Sequence, residues 1–228
     1  MPEPTRQRFR RRLYGRRKGP RLSAHQQSLI DTLLPELALD LREGADPRTY
    51  FPNAEKVWLE VGFGGGEHLL MQAQAHPNVG LIGAEPYESG VAKLLSKLES
   101  APGSNLRIYM DDARDIIDAL PGASIARVFI LFPDPWPKTR HYKRRFVQMD
   151  ILDEVARVLE GGGELRFASD DAHYLNWTLE RLCAHPAFEW TANRAADWKV
   201  RPADQPQTRY EAKALHGPPA YLCFRRTG

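Results

Sequence analysis

The sequence predicts an α/β fold, a mostly parallel sheet with crossover helices packed against it. Short apolar runs alternate along the chain with segments whose apolar residues recur near every 3.6 positions. A length of 228 residues with 42% hydrophobic and 27% charged side chains is enough for one domain with a real core. Gly 17 and Pro 18 are too few for a fibrous or disordered chain.

Taken in order, Ser23-Ala24-His25-Gln26 reads as a capping box, and Leu29, Ile30, Leu33 and Leu34 continue the helix until Pro35. Five strands are expected at 57–61, 79–84, 106–110, 128–132 and 164–168, where apolar residues cluster in runs of five or six. Between them Leu69 and Leu70, then Val91, Leu94, Leu95 and Leu98, then Val147, Ile151, Leu152, Val155, Val158 and Leu159 mark the packing faces of helices. Gly161-Gly162-Gly163 is expected to close the last of these, because glycine takes the left-handed conformation after a helix at no steric cost. Leu175, Leu179 and Leu182 predict a further helix, Pro202, Pro206, Pro218 and Pro219 interrupt any long element, and Tyr221 to Phe224 reads as a final strand. The organisation is a basic arm over 1–21, expected to be flexible, and a single domain over 22–228.

The net charge of +3 conceals an asymmetry. The arm carries nine basic side chains against Glu3, which leaves the rest of the chain five charges negative. A basic arm on a mildly acidic body is an electrostatic footprint for a polyanion such as nucleic acid. No apolar run approaches the roughly 18 residues that span a bilayer, so a soluble, cytoplasmic protein with no membrane partner is expected. Cys183 and Cys223 fit neither a disulfide framework nor a zinc motif and are expected as buried thiols. The seven histidines show no metal-ligand spacing, and no metal is expected. Oligomeric state, monomer or homodimer, stays open.

In an open α/β sheet the ligand lies beyond the carboxyl ends of the strands. Each predicted strand ends there in an acid: Glu60, Glu85, Asp111 with Asp112, Asp134, and Asp170 with Asp171. One such residue would be a solvated side chain or a helix cap; five in register form an acidic crevice. That crevice repels phosphates, and no Walker-type lysine follows the glycines, which disfavours ATP. Gly62, Gly64 and Gly66 give G-x-G-x-G with Glu67 next, which is not the dinucleotide fingerprint. A nucleoside with free ribose hydroxyls and a positive charge suits the arrangement, since carboxylates accept from hydroxyls and favour a cation. S-adenosylmethionine is such a ligand.

These residues resemble class I methyltransferases: Glu60 to Gly66 is similar to their first motif, Glu85 to their ribose-binding acid, Asp112 to the acid near the adenine, and Gly161 to Leu165 to the glycine turn before the fifth strand. The resemblance implies a Rossmann-like fold with a mostly parallel seven-stranded sheet, helices on both faces and S-adenosylmethionine as cofactor.

The segment from Phe132 to Arg145, Phe-Pro-Asp-Pro-Trp-Pro-Lys-Thr-Arg-His-Tyr-Lys-Arg-Arg, carries the most specific chemistry. Three prolines stiffen the exit from the fourth strand around Asp134 and Trp136, and five basic residues between Lys138 and Arg145 make a phosphate-binding patch at the same mouth. This block resembles the tRNA (guanine-N7-)-methyltransferases of bacterial type, and the likeness extends over residues 57–211. By that resemblance Glu60, Glu85, Asp112 and Asp134 bind the cofactor with Gly62, Gly64 and Gly66, and Asp134 is the catalytic residue. Lys138, Asp170, Thr208, Arg209, Tyr210 and Glu211 are implied to contact tRNA, whose guanine 46 in the variable loop is the implied target, and from the basic cluster itself Arg140 and Arg144 are expected to hold its phosphates. The family usually has Thr-Lys-Phe-Glu where this chain has Thr208-Arg209-Tyr210-Glu211, and many members have His in place of Pro137. Guanine N7 has a lone pair and no proton, so its methylation needs in-line positioning and no general base. Two alternatives stay open: a class I methyltransferase acting on a protein or small molecule, and a non-catalytic RNA-binding protein on the same scaffold.

Overall fold

The computed structural model describes residues 13–40, 44–100, 105–208, 211–212 and 216–228. Seven strands, β1 (Lys56–Val61), β2 (Val79–Ala84), β3 (Leu106–Tyr109), β4 (Ile125–Leu131), β5 (Leu159–Ser169), β6 (Phe188–Trp190) and β7 (Ala220–Arg226), form one sheet in the order β3-β2-β1-β4-β5-β7-β6. The first five are mutually parallel, and β7 runs antiparallel to both β5 and β6. From β1 the chain builds outward through β2 to β3, then crosses back to lay β4 and β5 on the other side. The order reverses between β1 and β4, and at such a reversal a crevice opens beyond the strand ends.

Strand alternation divides the interior into two cores. Val57, Leu59 and Val61 of β1, with Val128 and Ile130 of β4, pack under α5 (Ala113–Ala119), α6 (Met149–Val158) and α7 (Ala172–Ala184). Trp58 of β1 with Phe129 and Leu131 of β4 faces the other way, toward α1 (Ala24–Thr32), α3 (Glu67–Ala75) and α4 (Glu88–Ser100). Helices therefore cover both faces of the sheet. The capping box forms as predicted, with the Gln26 amide donating to Ser23 Oγ and the Ser23 amide donating to Gln26 Oε1, each at 3.2 Å. Pro35 does not end the helical region; it opens a second short turn, α2 (Leu34–Leu37), at a position where a missing N–H costs nothing.

Several expectations are corrected. α6 stops at Val158 with Leu159 already extended, so Val147 and Leu159 flank the helix and the three glycines do not cap it. The glycines instead bulge the start of β5: pairing steps from Ile125 opposite Leu159 to Arg127 opposite Glu164, with Gly162 at φ +78°. A β-carbon on Gly163 would lie 2.9 Å from the Glu160 carbonyl oxygen and 3.1 Å from that of Ala126. Helix α5 and strand β6 were not foreseen, α5 because it shows only Ile116 and Ile117 as large apolar residues and β6 because three residues carry no period. Cys183 is exposed on α7, and Cys223 is only partly covered.

Gly163→Ala should shift the bulge and lower unfolding free energy by about 1–3 kcal/mol, read from urea denaturation. A midpoint equal to wild type would show that the close approach is not required.

Candidate functional site

The crevice is a cleft of 1290 Å³. Its floor is the end of β1 and the loop that follows. Glu60 is buried and its Oε2 lies 2.7 Å from His68 Nδ1, while His68 Nε2 lies 3.3 Å from Gln72 Nε2. The chain of contacts assigns the Nδ1–H tautomer to His68, donating to Glu60 and accepting from Gln72. Gln72 also donates to the Asp204 carbonyl at 2.6 Å, which ties this floor to the segment leading to Thr208.

Gly62, Gly64 and Gly66 all have positive φ, at +71°, +57° and +72°. That curvature turns the loop back on itself and aims its amides at the end of β2. A side chain on Gly62 would project into open space, whereas Gly66 caps α3 against Leu94 and does not line the cleft. Glu85 closes the loop: its Oε2 accepts from the Gly64 amide at 2.7 Å and its Oε1 from the Tyr87 amide at 2.9 Å. Burial pushes the Glu85 carboxyl above its ordinary value, the two amides oppose that, and the charges of Asp134 and Glu60 add to the rise.

Asp112 lines the same wall, buried, capping α5 through the Arg114 amide and gripped by the Arg114 guanidinium. Asp134 stands on the opposite wall with its carboxylate reachable from solvent. Partial burial nevertheless raises its carboxyl above the ordinary range, against the pull of Arg16. It sits between Phe132 at φ +50° and Trp136 at φ +46°, two non-glycine residues in the left-handed region.

The basic cluster divides into three. Lys138, just before the 3₁₀ turn Thr139–Arg144, and Arg140 and Lys143 on it are exposed. Arg144 is half-buried, its guanidinium carbon 5.0 Å from the ring centres of both Tyr14 and Trp136. Arg145 is buried and unavailable to a phosphate, which corrects its place in the predicted patch. Thr208 lines the cleft and shares reciprocal contacts with Glu211, which is buried and accepts from the Tyr221 hydroxyl at 2.6 Å. Asp170 lies outside the cleft and accepts from the His216 amide at 3.1 Å. Arg209 and Tyr210 lie outside the described residues, as do 1–12 of the arm.

Two contributions were missed. Residues 13–19 are strapped along the cleft: Leu13 to Arg16 line it, the Arg17 carbonyl accepts from the Glu88 amide at 3.0 Å, and the Arg17 guanidinium pairs with Asp111 at 2.5 Å. The glycine at 19 packs where a β-carbon would sit 2.3 Å from Tyr87 Oη, a closeness no sequence pattern announces. Arg181 of α7 also lines the cleft over the Trp177 ring, and in sequence it reads as an ordinary solvated helix residue.

The sheet order and the acid-floored glycine loop define a class I methyltransferase fold. Solved structures of like architecture include the 16S rRNA methyltransferase KamB, with a TM-score of 0.59 at 15% identity over 84% of this chain and 98% of that one. Another is the 16S rRNA (adenine(1408)-N(1))-methyltransferase W203A mutant with cosubstrate SAM from Catenulisporales acidiphilia, with a TM-score of 0.55 at 16% identity over 81% and 92%. A family model described as "Putative methyltransferase" matches residues 54–221. The tRNA (guanine-N(7)-)-methyltransferase of Rhodospirillum rubrum is 54% identical over 94% of this chain and 88% of its own, and that of Rhizobium meliloti is 50% identical over 93% and 94%. The chain belongs to the tRNA (guanine-N(7)-)-methyltransferase family.

His68→Phe keeps the edge contact with Phe129, 4.7 Å between ring centres, but leaves the Glu60 carboxylate alone in the floor. The variant should lose about 3 kcal/mol of unfolding free energy in urea titrations; a loss near zero would mean that Glu60 has another partner.

Proposed function

We propose that the protein transfers a methyl group from S-adenosylmethionine to N7 of guanine 46 in the variable loop of tRNA. The reading rests on one observation: the acid-lined glycine loop and the proline-stiffened lip with its arginines and lysines are walls of a single cleft. On this reading the protein works in the cytoplasm.

The residues fit that cofactor. Each Glu85 oxygen accepts one loop amide and keeps a lone pair for a ribose hydroxyl. Gly62 leaves open the space that any side chain would fill. Glu60, Glu85, Asp112 and Asp134 supply the negative field that a cation requires. S-adenosylmethionine would supply a methyl group made electrophilic by the sulfonium. Glu85 and Asp112 would hold the nucleoside, and Glu60 with Gly64 the floor beneath it.

The lip does the rest. Asp134 accepts hydrogen bonds from the N1 and N2 donors of the target guanine or from the cofactor ammonium, and Trp136 supports the base by stacking. The base has to be turned out of the tRNA core to reach it. Because N7 carries no proton, no residue is asked to remove one, and alignment can contribute ~7–11 kcal/mol. Lys138 and Arg140 hold phosphates from the exposed turn, joined by Arg144 and by the arm. Glu211 holds Thr208 at the rim through their reciprocal contacts, and Asp170, Arg209 and Tyr210 contact the tRNA.

Purified protein incubated with unmodified tRNA and methyl-labelled cofactor should place the label in 7-methylguanosine on nucleoside analysis; label in another nucleoside, or none, rejects the reading. Asp134→Ala should cut methyl transfer by about a hundredfold or more while gel-shift affinity for tRNA survives, and normal turnover would exclude Asp134 from the site. The raised carboxyls of Glu85 and Asp134 also fix a sign. Both gain a proton as pH falls through a range above the ordinary 4.5 and 3.8, so cofactor affinity should weaken on acidification before an ordinary carboxylate would titrate. In the free protein the same groups favour the fold at low pH and lose that contribution as pH rises through their raised values. Calorimetry from pH 7 down to the ordinary carboxylate value of 4.5 checks the first effect, and an affinity unchanged over that whole range would contradict it.

A further inference from the structure

We propose that Arg145 is a positioning residue for methyl transfer, acting through the Pro135 carbonyl to hold the loop that carries Asp134; this rests on the function proposed above. In sequence Arg145 is the last of five basic residues in a surface patch. In the structure it is 2% exposed. Its guanidinium carbon lies 3.9 Å from the ring centre of Tyr142, 4.9 Å from Tyr174 and 5.0 Å from Trp177. Its Nε donates to the Pro135 carbonyl at 2.8 Å, and its Nη2 is buried without a hydrogen-bond partner among the described residues.

A cavity walled by three aromatic rings could be filled by an apolar side chain of similar length without burying a charge. What an arginine adds there is a directional donor, and among the described residues its side chain makes one hydrogen bond, into the lip. The lip needs it. Pro133, Pro135 and Pro137 have no N–H to give. Among the described residues, none of the backbone hydrogen bonds outside regular elements is donated by 133–137. The loop also begins and ends in left-handed conformations at Phe132 and Trp136, which persist only where surroundings hold them. Arg145 supplies that hold one residue beyond Asp134. The rings in turn stabilise the cation where no carboxylate is needed, leaving the acid charge of the cleft to the ligand.

Three roles make different forecasts for Arg145→Met and Arg145→Lys, measured beside wild type on tRNA and cofactor. For a positioning role, the Met variant fills the aromatic cage and unfolds at a temperature near wild type, but its kcat falls about ten- to a hundredfold. Its KM for tRNA and the salt slope of tRNA binding stay unchanged, and the Lys variant, which can still reach a carbonyl, recovers part of kcat. A phosphate contact would instead lower the salt slope by about one unit in the Met variant with Lys restoring it, and a packing role would leave kcat of the folded Met variant within about twofold of wild type; either result overturns the proposal. Should the Met variant fail to fold, the Lys variant decides: kcat lowered with KM and salt slope kept supports positioning, and wild-type kcat refutes it. A wild-type protein that does not methylate tRNA guanine would sink the proposed function itself, a failure separate from normal turnover in the variants.

Discussion

The cleft depends on one buried carboxylate. Glu85 stands at the end of β2 and takes a backbone amide on each oxygen, one from the glycine loop after β1 and one from the entry to α4. Those two bonds tie the loop after β1 to the end of β2, next to the reversal of strand order between β1 and β4. They also explain why the loop is glycine-rich: only backbone in left-handed conformations brings Gly64 N–H round to face β2. The same carboxylate is held partly against its ionisation by burial and by its acidic neighbours. A cationic ligand would relieve that tension, so on the proposed function the element that shapes the cleft would also favour the charge of the cofactor.

Opposite this acidic half lies a wall of the other sign. The loop after β4 is stiff by composition and strained at both ends, and the 3₁₀ turn behind it presents lysine and arginine outward. Arg144 rests between Tyr14 and Trp136, so the strap over 13–19 and the lip are in contact across the mouth. A cation donor and a polyanion acceptor would be drawn to adjacent surfaces, each repelled by the other's seat. On the proposed function, this separation of charge within one opening would seat the small cation deep and the nucleic acid at the rim.

Much of this was legible in the sequence. β1, β2 and β4 are apolar runs with both faces buried, so composition alone reveals them, and the acid within the end of β1 or just after β2 and β4 is a local feature. Helix α5 escaped because it is short, and β6 because its pairing with β7 is decided by long-range register. The glycine triplet was misplaced for a related reason: left-handed backbone suits a helix end and a strand bulge equally, and only the register with β4 distinguishes them. Within the site, Arg144 and Arg145 are adjacent and chemically identical. One half-faces the mouth and the other is buried among aromatic rings from the 3₁₀ turn and from α7, a distinction that distant residues create. The strap over 13–19 was likewise read as part of a charged arm, because its contacts with Glu88 and Asp111 lie far along the chain.

A crystal structure with S-adenosylmethionine bound is the most direct measurement. The ribose hydroxyls should lie on Glu85, the adenine beside Asp112 and the methyl group directed toward the wall that carries Asp134. A cofactor bound elsewhere, or in this cleft with its ribose away from Glu85, would contradict it.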